Sequence, residues 1–241
     1  MSADAPARAG DGEAVPPRAS PATAPAEAGL AGLLLDVQRR LEALYAVGPQ
    51  APVTDFLIPA EEASEYPGGG SRTLLTQKGD DVSLGVVLDD SVRSRLAARD
   101  PRERLDDANL DSFCVLAEEV SHFVYLFFCA RAARQVTQLE LELQGEVDKY
   151  LSTVFLLSLQ NEGAVSPRLR ALLFRHYHLA AHVTDEGRER YRAASDLAYR
   201  YCGWLEESFL RPSRLHDLAR ESRRFYRLGQ REKLERIALL A

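Results

Sequence analysis

The longest apolar periodicity in the chain runs through 110–134, where Leu110, Phe113, Ala117, Val120, Val124 and Phe127 recur at alternating spacings of three and four. A helix of 3.6 residues per turn presents such a stripe to a core. From Phe123 onward the other faces are apolar as well, through Tyr125, Leu126 and Phe128, so the pattern predicts a helix buried all round. Glu118, Glu119 and His122 lie just upstream of that run and must reach water or find partners.

The rest of the chain is read around this helix. Residues 1–27 are mostly Ala, Pro, Gly, Ser and acidic residues, too poor in large apolar side chains to offset backbone ordering, and predict a disordered tail. An amphipathic helix is predicted over 30–47, with Leu34, Val37, Leu41 and Leu44 on one face. Three strand-like segments follow, at 53–58 before Pro59, at 73–77, and at 82–88 where the pattern alternates with period two. Lys78-Gly79-Asp80-Asp81 has the composition of a hairpin turn between the last two.

From Asp90 onward the pattern is helical. A short helix is predicted to about Arg99, and Asp106 or Asp107 is available to cap the long one. Thr137 to Glu140 has the capping-box form, opening a helix that ends by Gly163. Leu139, Leu141 and Leu143 also alternate as a strand would, but Leu139, Leu143, Tyr150, Val154 and Leu157 continue one helical stripe. Further helices open at Ser166-Pro167 and at Thr184 or Asp185, and a last pair breaks near Gly229. The expected fold is therefore α+β and mostly helical: a bundle-like core around the long helix, with a small three-stranded antiparallel sheet in the N-terminal third. Residues 28–241 are read as one globular domain, 28–90 holding the first helix and the sheet and 91–241 the helices.

Candidate chemistry centres on Glu119 and His122, a Glu-x-x-His pair whose two side chains point to nearly one side of a helix. Di-metal carboxylate bundles use that pair twice, with a Glu from each of two further helices. This sequence has it once, and Glu142 and Glu146 are the carboxylates that could join it. Glu146 falls within roughly 40° of Tyr150 on the apolar stripe, so it should be buried with a cationic partner such as Lys149, His122 or an arginine, or keep its proton. The bland alternative, and the favoured one, is a buried structural network that fixes helix register. Glu118 projects near the side opposite Val120 and is expected to face solvent.

Other constellations are weaker. His178 and His182 are one turn apart, a chelating spacing, yet lie opposite Leu173 and Tyr177, while His176 borders the apolar side. Gly68-Gly69-Gly70 lacks the Gly-Lys-Ser/Thr of a phosphate loop and reads as a plain loop. No HExxH, GxSxG or Cys-rich framework is present, and no cofactor is implied.

Charge is uneven. Residues 1–163 carry 14 basic and 26 acidic side chains, whereas 164–241 carry 16 basic and 10 acidic. Arg220, Arg223, Arg224, Arg227 and Arg231 lie along one predicted helical face with Phe225 and Tyr226 between them. Basic residues with aromatics can engage nucleic acid, but a net charge of −6 and the interspersed Glu221, Glu232 and Glu235 favour an acidic protein surface, the chain's own or a partner's. A homo-oligomer stays open. Cys114, Cys129 and Cys202 have neither CxxC spacing nor an even count and read as reduced thiols. With no signal-peptide pattern and no apolar run approaching the roughly 20 residues of a membrane span, a cytoplasmic setting is expected. The leading expectation is a non-catalytic intracellular interaction or regulatory module. The alternative is a metal-dependent helical enzyme using Glu119, His122, Glu142 and Glu146.

Overall fold

A computed structural model describes residues 23–66, 69–78, 81–164, 166–175 and 184–240. Helix α4 (Leu110–Arg131) is the axis of the fold, with Leu116, Ala117, Val120, Phe123 and Tyr125 fully buried. It stops where Ala133 enters the left-handed region at φ 48° and the Arg134 amide closes back onto the Cys129 carbonyl at 2.9 Å. The chain then reverses into α5 (Gln138–Gln160), capped as the sequence predicts by Thr137 Oγ1 accepting from the Glu140 amide at 3.2 Å. This settles 139–143 as helix. The Glu140 carboxylate does not complete a capping box, because it turns inward to Arg134 and Tyr125.

Helices α4 and α5 form an antiparallel hairpin on which the other elements are laid. On one side, α1 (Thr23–Tyr45) buries Leu30, Leu34, Val37 and Leu41 against α4, along with α3 (Asp90–Ala98). On the other, α7 (Asp185–Leu205) packs on α5 through Ala194, Ala198 and Tyr201, with α6 (Leu169–Arg175) beside it. A π turn over Glu206–Leu210 leads into α8 (Leu215–Arg227) and α9 (Gln230–Ala238), which break at Gly229 as predicted. Strands β1 (Arg72–Lys78) and β2 (Asp81–Val87) pair antiparallel, with Arg72 opposite Val87 and Lys78 opposite Asp81.

Several expectations need correcting. The sheet has two strands among the described residues, not three. Between Pro52 and Pro59, the segment predicted as the first strand is instead a 3-10 turn, Val53–Phe56. The Val53 amide donates to Gln38 Oε1 of α1 at 2.8 Å, which draws the turn onto the helix. The end of the segment touches the sheet through a single parallel bridge of Leu57 to Val86, with the Ile58 amide donating to the Val86 carbonyl at 2.9 Å. A short helix α2 (Ala60–Ala63) follows. Helix α1 begins at Thr23, inside the segment read as a tail. Asn109, rather than Asp106 or Asp107, precedes α4, and its side chain ties the incoming loop by donating to the Arg99 and Arg104 carbonyls.

By length and composition α4 could cross a membrane, which the apolar-run criterion missed. In this fold 72 % of that stretch is buried by protein, and Glu118, Glu119 and His122 lie within the helix. It packs as a core helix.

Candidate functional site

The α4–α5 seam is unusually polar for a core, and Gly145 is the reason its groups can meet. A Cβ at position 145 would lie 2.7 Å from His122 Nε2 and 3.3 Å from Glu118 Cγ, so only glycine admits both side chains beneath α5. Gly145→Ala is expected to destabilise the protein by about 1–3 kcal/mol through overpacking, despite alanine's better helix propensity. A denaturant midpoint equal to or above that of wild type would contradict that packing.

Glu146 is fully buried, as its place in the stripe predicts, and its partner is Lys149. The Lys149 ammonium donates to Glu146 Oε1, to Glu118 Oε2 at 3.3 Å and to Tyr191 Oη of α7 at 3.1 Å. Burial pushes the Glu146 carboxyl up, against the pull of Lys149. Burial also penalises the Lys149 ammonium, but Glu118 and Glu146 outweigh it and hold its pKa well above the ordinary value. Glu118 does not face solvent as expected. It lies one turn before His122 on the face that Gly145 lets α5 approach, and its side chain is only 15 % exposed.

His122 sits between carboxylates. Its Nδ1 lies 3.7 Å from Glu119 Oε2, which in turn accepts from Thr73 Oγ1 of β1 at 2.8 Å. Its Nε2 is 4.0 Å from Glu142 Oε2 and has no hydrogen-bond partner although buried. Burial works against the imidazolium, but Glu119, Glu142 and Glu118 together raise the pKa to about 9. The four candidates therefore divide. His122 and Glu142 face each other across the seam, Glu119 holds the other ring nitrogen, and Glu146 is committed to Lys149. Glu118 joins His122 and Glu142 in their place, the donor atoms of these three lying within 4.8 Å of one another.

A second buried network escaped sequence reasoning. Asp148 accepts from Ser121 Oγ at 2.5 Å, from Gln144 Nε2 at 2.9 Å and from the Tyr45 hydroxyl. Gln144 Oε1 accepts from Lys233 Nζ of α9 at 2.6 Å. Lys233 is fully buried, with its ammonium 4.6 Å from the Tyr125 ring centroid and 4.9 Å from that of Phe225. Burial drives its pKa down to about 7, outweighing the support of Glu140 and Asp148, and burial raises Asp148 to about 6. Glu140, Gln144 and Asp148 recur every four residues, a polar stripe that could have been read. Lys233 carried no signal beyond being one of three lysines in an arginine-rich chain.

The five arginines predicted as a partner-binding face are all exposed. Arg223 donates to the Leu44 and Ala43 carbonyls at 2.8 and 3.2 Å, and Arg227 to the Tyr45 carbonyl at 3.1 Å, so α8 caps the C-terminus of α1. Arg220 pairs with Asp217, and Arg231 stands 3.9 Å from Glu235. Beside the capped end an open cleft of about 270 Å³ lies between α1, α4 and α8, lined by Val47, Gln50, Phe128, Arg131 and Arg227. Arg131 is exposed there and has no ion pair with any described residue. Gln50 Oε1 is buried without a hydrogen-bond partner.

His176, His178, His182 and Gly68 lie outside the described residues. All three cysteines are free and buried. No protein-family model, curated protein or solved structure matches the chain.

Proposed function

We propose that this protein is a non-catalytic intracellular interaction module, and that an acidic segment of a protein partner docks over the cleft between α1, α4 and α8. The observation that carries this reading is Arg131, an exposed guanidinium at the cleft with no ion pair to any described residue. Phe128 provides a half-buried aromatic floor and Arg227 a second positive charge, a combination suited to a carboxylate-bearing segment with apolar neighbours. Free, buried cysteines support a reducing compartment, hence a cytoplasmic one. Nucleic acid is the poorer partner, since the acidic half of the chain repels a polyanion from most approaches.

The test is a fluorescence-anisotropy titration with a glutamate-rich peptide carrying one aromatic residue, beside single- and double-stranded DNA and RNA, at two salt concentrations. Peptide binding that exceeds nucleic-acid binding at both salts is expected. Tight, salt-steep binding of nucleic acid would overturn the reading. Arg131→Glu is the informative reversal, because Arg131 lines the cleft without capping α1, whereas reversing Arg227 would also disturb the fold.

The metal-dependent reading stands second, favoured by the unpartnered His122 Nε2.

A further inference from the structure

We propose that Glu118, His122 and Glu142 form a binding site for a single divalent transition-metal ion at the α4–α5 seam. The inference does not depend on the partner cleft, which lies elsewhere on the molecule.

Three acidic or imidazole side chains close together do not make a site by themselves, and the further observation here is the state of the ring. His122 is more than nine-tenths buried, yet its Nε2 has no hydrogen-bond partner and lies 4.0 Å from Glu142 Oε2, under α5 at Gly145. A buried polar nitrogen left without a partner is costly and calls for an explanation. The other nitrogen faces Glu119, 3.7 Å from Oε2, and Glu119 is itself held by Thr73. A carboxylate behind the distal nitrogen of a ligating histidine fixes its tautomer and ring orientation.

Donor spacing is also suitable. Ligands at roughly 2.0–2.2 Å around a tetrahedral ion lie about 3.4 Å apart, and the present atoms lie within 4.8 Å of one another. Closing that gap needs only rotamer adjustment of two glutamates. Glu142 is 23 % exposed, so the seam opens to solvent at that corner, giving the ion an entry and leaving room for water in a fourth position. Imidazole with two carboxylates suits zinc, iron(II), cobalt(II) or manganese(II) better than the oxygen-seeking magnesium or calcium. Glu118 is shared with Lys149, which keeps Glu146 and Tyr191 as partners when the glutamate turns to the ion.

Cobalt(II) chloride titrated into the full chain, followed by visible absorption and then displaced with zinc, tests the site. One cobalt per chain is expected, with d–d bands of a low-symmetry tetrahedral or five-coordinate ion. Glu142→Ala lies at the exposed corner, where folding is spared, and is expected to weaken binding at least about ten-fold, as is His122→Gln; Glu119→Gln should weaken it by roughly ten-fold through ring orientation. A His178→Ala, His182→Ala variant should bind as wild type does. No saturable cobalt binding in the wild type would overturn the proposal. So would binding that survives Glu142→Ala and His122→Gln but vanishes in the His178→Ala, His182→Ala variant.

Discussion

Lys149→Met is expected to cost about 3–5 kcal/mol of stability, the scale for removing one partner of a buried ion pair and leaving the other charge uncompensated. Two carboxylates lose their cation at once. Glu146 has no exposure at all and its Oε2 already lacks a hydrogen-bond partner, while Glu118 is 15 % exposed and can turn toward solvent. The cost should depend on pH. Without the ammonium, burial and the Glu118 charge act on Glu146 against the Tyr191 hydrogen bond, and its folded pKa stands above the unfolded value, so stability is fully present below the ordinary glutamate pKa and is lost as pH rises through the folded one. The deficit is thus smaller at about pH 5 than at about pH 8. Adding Glu146→Gln to Lys149→Met should recover a substantial part of it, since the double variant buries no lone charge. Denaturant midpoints at the two pH values give the answer. A loss below about 1 kcal/mol, flat in pH, would mean that the pair is not buried as described.

Lys233 gives the second large effect, with the opposite dependence on pH. Its ordinary pKa of 10.5 falls to about 7 in the fold, because burial opposes the charge more strongly than Glu140 and Asp148 support it, with Arg134 adding repulsion. Between these values the unfolded chain binds a proton that the native chain has released, so the contribution of Lys233 to stability climbs as pH rises through that window. Below about 7 both states are charged and the full burial penalty applies. The wild-type profile mixes this with opposing groups. His122, raised to about 9 from 6.5, loses stability as pH rises through that range, and Asp148, raised to about 6 from 3.8, does so at lower pH. Subtracting the Lys233→Met variant isolates the lysine. The stability of wild type relative to that variant should climb by roughly 4 kcal/mol between about pH 7 and 10. A difference independent of pH would show that Lys233 keeps an ordinary pKa.

How much of this was legible depended on whether a residue's environment is set by its own helix or by a neighbour. The burial of α4 and the inward place of Glu146 follow from one-dimensional periodicity, because Leu143, Tyr150 and Val154 fix the phase of α5. Glu118 was misplaced for the converse reason. Its surroundings are set by α5, which comes within reach only because residue 145 has no Cβ, and that consequence of a glycine is invisible until the two helices are paired. The missing strand has a similar cause. Its β-like composition is overridden by Pro52, Pro59 and the capture of the Val53 amide by Gln38 of α1. The predicted arginine face divides at Gly229, which puts Arg231 on α9, and the role of Arg223 and Arg227 as caps for α1 required knowing where that helix ends in space. Arg131, which completes the cleft, lies far from them in sequence.

A charge-reversal pair tests docking at the cleft most directly. Arg131→Glu and Arg95→Glu change net charge equally, but Arg131 lines the cleft and Arg95 is exposed on α3. Measured with the same glutamate-rich peptide at fixed salt, Arg131→Glu is expected to weaken binding by roughly ten-fold or more, the scale of a lost charged contact, and Arg95→Glu by little. Equal weakening by both reversals, or no binding by the wild type, would contradict a docking site at the junction of α1, α4 and α8.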